Sequence, residues 1–140
     1  MQIKNIEVFQ PTPITVRVGN EEIKIEKIPA MATLLLYKDK KKSDETESNL
    51  VADTLSFGTL DQNNQDDLID GAKRMFAMYE NYKDEINQIL QICLKKNQEW
   101  IDKHLDLSDI TRILAAVCTQ TVEQLAFLKK NEVTEEQAAK

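Results

Sequence analysis

The chain is short of the residues that punctuate and staple small folds. Its 140 residues include three Gly, three Pro and two Cys. Few turns are marked, which favours long helices over a many-stranded sheet. The two cysteines, Cys93 and Cys118, fall in helical patterns and read as buried thiols of a reducing compartment rather than a disulfide. Neither sits in a CxxC or His-rich neighbourhood, which argues against zinc. A single histidine, His104, removes most acid–base and nucleophile triads. It lies four residues after the only tryptophan, Trp100, and reads as an aromatic contact or exposed surface. No GxxxxGK[ST] or GxGxxG occurs, the glycines being scattered at 19, 58 and 71. The expectation is therefore no catalytic residue, no cofactor and no metal. No run approaches the ~20 apolar residues that span a bilayer. The opening MQIKNIEVFQ lacks the basic start and apolar core of a signal peptide. Cytoplasmic residence with no membrane partner is expected.

What is present is acid and helix. The formal net charge of −6 opposes binding to phosphate backbones, so no nucleic-acid partner is expected. The one basic run, Lys38-Asp39-Lys40-Lys41-Lys42, is followed at once by Asp44, Glu45 and Glu47. It reads as a solvated, mobile loop over Lys38–Ser48. The length fits one domain by the prior of roughly 100–200 residues. Within it the pattern divides into a β-hairpin region (1–28), a short helix and mobile loop (29–63), a helical body (64–129) and a frayed tail (130–140). The fold class is α+β, mostly α: an N-terminal β-hairpin and then a small helical bundle with one long helix.

Residues 3–9 give a weak strand signal. The runs 14–18 (ITVRV) and 22–28 (EIKIEKI) both alternate, and the Gly19-Asn20 pair between them is a hairpin turn signal. Ile14, Val16 and Val18 share one face of the first strand; Ile23 and Ile25 share one face of the second. A lone hairpin is marginal in water and must pack on something. Pro29–Tyr37 reads as a short helix, although its Leu34-Leu35-Leu36 run also suits a buried strand. Leu50–Leu60 is weakly patterned.

The main helix starts at Asn64, with Asp66 and Asp67 in its first turn and Lys95 and Lys96 at its far end, as the helix dipole favours. An Asp66-Asp67-Asp70 cation site is the poorer reading, because the oxygen-rich loop of a calcium site is missing. Apolar residues recur at three-to-four spacing from Leu68 to Leu94, and the pattern allows a kink near Tyr82-Lys83. Along this helix Met75, Phe76, Met78, Tyr79 and Tyr82 form a soft aromatic and methionine stripe. Core packing is its ordinary role, but it is wide enough for part of it to bind a partner helix. Met75, Met78, Tyr79 and Tyr82 are the candidate contacts. A short helix follows around Gln98–His104. Asp106 or Ser108 caps the last helix, and Asp109 completes a capping-box-like pair with Asp106. Its stripe runs through Ile110, Ile113, Leu114, Val117, Val122, Leu125 and Leu128. Trp100, Ile110, Ile113 and Val117 are the expected structural anchors, with Trp100 mostly buried against Ile113 and Val117.

This order of elements resembles the small tail assembly chaperones of long-tailed bacteriophages and related prophages. The resemblance rests on the ITVRVGNEEIKIEKIP hairpin, the helical body and a Trp-led segment of the type W-[IL]-x-x-x-[LI]-[TDS]-x-x-[ED]-[IL]-x-x-[IVL]. Trp100, Ile101, Leu105, Asp106, Asp109, Ile110 and Ile113 match that segment without a gap. The Lys38–Ser48 loop is not a hallmark of the family. The resemblance implies a non-enzymatic helper in the bacterial host cytoplasm that binds the tape measure protein, keeps it soluble and helps recruit tail tube subunits. It also implies that a frameshift-extended form can exist. A homo-oligomer through the long helix is compatible with the same pattern. The alternative function is a small acidic adaptor or regulatory protein acting through a dimer or partner-helix interface. A small carboxylate enzyme ranks last.

Overall fold

A computed structural model describes residues 6–42, 45–56 and 65–138. Strands β1 (Ile14–Val18) and β2 (Glu21–Ile25) form the N-terminal antiparallel hairpin. The register sets Ile14 opposite Ile25 and Val16 opposite Ile23, so the apolar sets meet on one face as their alternation requires. Gly19, at φ +60°, supplies the left-handed residue of the two-residue turn. The inward face packs on the helices: Ile23, Ile25 and Ile28 are buried, with Ile14 and Val16 packed against them. The Ile28 backbone N–H donates to Gln120 Oε1 at 2.9 Å, which ties the end of the hairpin region to the last helix across 92 residues.

Helix α1 (Ala30–Tyr37) starts after Pro29. The Leu34–Leu36 run is helical: Leu36 is buried, Leu35 half-buried and Leu34 exposed, because successive helical residues point about 100° apart. The segment expected to be a solvated loop instead holds a small antiparallel ribbon, β3 (Lys40–Lys41) with β4 (Glu47–Ser48). Helix α2 (Leu50–Leu55) follows, with the Asn49 side chain accepting from the Ala52 N–H. Leu50, Val51 and Thr54 are buried on it.

Helix α3 (Gln65–Leu94) is the long element. It breaks at Tyr82, whose φ −122° and ψ 22° are not helical. Asn64, the expected cap, lies outside the described residues. Lys95 ends the helix in the left-handed conformation, φ 57°. Helix α4 (Gln98–His104) is capped by Asn97, whose side chain accepts from the Trp100 N–H at 2.9 Å. Helix α5 (Leu107–Ala138) opens on a reciprocal cap: the Asp109 N–H donates to Asp106 Oδ1 at 2.8 Å and the Asp106 N–H to Asp109 Oδ2 at 3.1 Å. Aspartate thus does what glutamate does in the usual capping box. The helix continues to Ala138, beyond residue 129, where the sequence pattern loses its apolar stripe.

One buried cluster unites Ile25, Ala32, Leu36, Leu50, Ile86, Leu90, Ile101, Leu114 and Val117. It draws on β2 and every helix. Among the described residues, no helix is long and apolar enough to cross a membrane.

Candidate functional site

The four candidate contact residues on α3 divide between two environments. Met78 and Tyr82 are buried, Tyr82 at 1 % exposure, while Met75 and Tyr79 are half-buried. Met78 and Tyr82 are therefore corrected from partner contacts to core residues. The Met78 thioether accepts from Thr54 Oγ1 on α2 at 3.5 Å. Gly71, Met75, Met78 and Tyr82 follow one another at four- and three-residue steps, which makes them a single inward face.

A second apolar face lies about a quarter turn round the same helix. Leu68 is 51 % exposed, Ile69 49 % and Phe76 62 %, with Ala72 exposed between them. Leu68, Ala72 and Phe76 follow one another at four-residue steps and Ile69 lies three before Ala72, so they line up as a stripe. The sequence showed this stripe and the inward one as a single broad band. What separates them is tertiary: α1, α2, α4 and β2 pack on α3, and Thr54 of α2 meets Met78 on the inward face. On α5, Val122, Leu125 and Leu128 are likewise exposed, beyond the buried Thr121.

The anchors at the chain's Trp-led segment are also redistributed. Ile110, Ile113 and Val117 are buried as expected. Trp100 is only half-buried; its ring stacks on His104, centroids 4.6 Å apart, with Lys96 Nζ 5.1 Å from the ring. The residue that seats α4 in the core is its neighbour Ile101, at 1 % exposure. A Trp at the head of a helix reads as an anchor, but the ring's cation–π and stacking partners are on the surface side.

Around Tyr82 the basic run meets two carboxylates. Lys40 Nζ donates to both oxygens of the buried Glu85 at 3.1 and 3.0 Å, and Lys38 lies 3.9 Å from the same carboxylate. Lys42 bonds Asp53 at 3.3 Å, and Ser48 Oγ donates to Asp53 at 2.9 Å. Burial alone would raise the Glu85 carboxyl. A backbone hydrogen bond, the Lys40 bond and the two lysine charges outweigh it and hold the carboxyl below its ordinary value. Burial and the Asp53 charge push the Tyr82 phenol up to about 12. This cluster ties the β3–β4 ribbon to α3. Burial also pushes Cys93 and Cys118 up to about 11, as suits unreactive core thiols. Among the described residues, no group of three His, Cys, Asp or Glu could hold a metal ion.

The chain also holds a cleft of about 440 Å³ between β1 and the α4–α5 corner. Ile14, Val16, Leu105, Ile113 and Ala116 contribute apolar lining, while Arg17, His104, Asp109 and Arg112 supply charged and polar groups. It lies in the region of the Trp-led segment, whose Trp100, Ile110, Ile113 and Val117 the sequence marks as structural anchors. The signal available was Arg17 and Arg112 on an otherwise acidic chain. No protein-family model matches the chain, and no curated protein or solved structure matches it either.

Proposed function

We propose that this chain is a non-enzymatic assembly chaperone that shields an amphipathic helical client, in the manner of the phage tail assembly chaperones its element order resembles. The client in that reading is a tape measure protein, and the bound chaperone helps to recruit tail tube subunits. The observation that carries the proposal is the outer stripe of α3, where Leu68, Ile69 and Phe76 stand about half exposed or more on a chain of net charge −6. A long amphipathic client helix aggregates when its apolar face is bare. An exposed helical stripe of matching period covers that face by helix-to-helix burial, and the acidic exterior keeps the complex from associating further. Met75 and Tyr79, half-buried at the border of the stripe, are its flanking contacts.

The test is co-expression with a candidate tape measure protein, scoring the soluble fraction of the client. The wild-type chain raises that fraction. Leu68→Asp with Phe76→Asp abolishes the gain while the melting curve of the chaperone itself stays close to wild type, since both side chains are exposed. A double variant that still solubilises the client contradicts the assignment.

A further inference from the structure

Strand β1 has one used edge and, among the described residues, one open edge. Among the described residues, β1 is hydrogen-bonded to β2 alone. The two-residue turn makes Val18 and Glu21 a hydrogen-bonded pair, so Ile14, Val16 and Val18 exchange bonds with β2. The backbone groups of Thr15 and Arg17 then point away from β2, along the open edge. That edge forms one wall of the cleft, since Ile14 through Gly19 line it without a gap. Unpaired strand edges are templates for another strand.

The cleft also has a sign. Arg17 and Arg112 line it, and both are exposed. Its one carboxylate, Asp109, is engaged in the cap of α5. The used edge already displays what such an edge accepts. There Glu22 stands opposite Arg17, its carboxylate 3.8 Å from the guanidinium, while Ile23 and Ile25 turn inward opposite Val16 and Ile14. A strand entering from the open side meets the same alternation on β1, apolar side chains toward Ile14 and Val16 and acidic side chains on the face of Arg17, while Arg112 of α5 adds a second cation to the cleft lining.

We infer that the β1–α5 cleft binds an extended peptide of alternating apolar and acidic residues, which pairs with the open edge of β1 as a third strand. Main-chain hydrogen bonds to Thr15 and Arg17 give the affinity, and the alternation of side chains gives the selectivity. The site is separate from the α3 stripe, and it stands whether or not the helical client is the right one.

The experiment titrates wild-type protein with a short fluorescein-labelled peptide alternating valine and glutamate, followed by fluorescence polarisation. The same peptide with lysine for glutamate is the control. The acidic peptide binds and the basic one does not. Arg17→Glu and Arg112→Glu each weaken binding about tenfold or more, the scale of a lost charge-assisted contact. Thr15→Pro, which deletes only an outward N–H, removes binding. Hydrogen exchange on the unmodified protein gives a readout that needs no variant: the Thr15 and Arg17 amides slow when the peptide is added. Failure of the acidic peptide to bind, or unchanged exchange at those two amides on binding, overturns the inference. So does a hairpin edge already occupied by a second copy of the chain, seen as slow Thr15 and Arg17 exchange that speeds up on dilution.

Discussion

Glu85 decides whether the basic run is loop or structure. A buried carboxylate without a partner is costly, and Lys40 and Lys38 supply the partner from a segment that composition alone reads as solvated. Because its folded-state pKa is lowered, the carboxyl contributes stability that is fully present above its ordinary value of 4.5 and is lost as pH falls through the lower folded value. Glu85→Gln should therefore unfold more easily than wild type near pH 7, and the gap between the two should shrink on acidification to about pH 3. Urea titrations at the two pH values measure it; a gap that is constant or widens would mean Glu85 is not held charged by its lysines. The same scale separates Trp100 from Ile101. Ile101→Ala empties a fully packed position and should cost about 2–5 kcal/mol. Trp100→Ala should cost less, since the ring lies at the edge of the core, with Lys96 and the exposed His104 against it. Chemical denaturation of both variants settles the order, and a larger loss for Trp100 reverses the assignment of the anchor.

At the scale of elements, what was legible in the sequence is what is local. The hairpin follows from alternation and Gly19-Asn20, and the reciprocal Asp106–Asp109 cap from residue types three apart. The bounds of α4 and the break at Tyr82 fall where the pattern places them. What was not legible depends on partners distant in sequence. The β3–β4 ribbon is tied down by Glu85, 45 residues from Lys40, and no short window contains both. Met78 and Phe76 are equally apolar in the sequence; only the arrival of α2 on one side buries the first and leaves the second bare. The end of α3 offers a local test. Lys95 sits at φ 57°, a region that disfavours a side chain and favours glycine. Lys95→Gly should stabilise by up to about 1 kcal/mol, read as a higher Tm. An unchanged or lower Tm would show that the lysine's charge near the helix end outweighs its strain.

For the whole molecule, the core gathers the hairpin and the helices, and leaves Leu68, Ile69 and Phe76 of α3 and Val122, Leu125 and Leu128 of α5 exposed. A net charge of −6 opposes self-association through such surface. On the proposed function, the α3 run is covered by a helix from another protein. Hydrogen–deuterium exchange of the chain, with and without a peptide corresponding to one amphipathic stretch of a tape measure protein, tests this most directly. Amides of residues 65–80 should slow on binding, as the exposed first half of α3 is held against its client and frays less. Binding accompanied by protection elsewhere, with 65–80 unchanged, would contradict it.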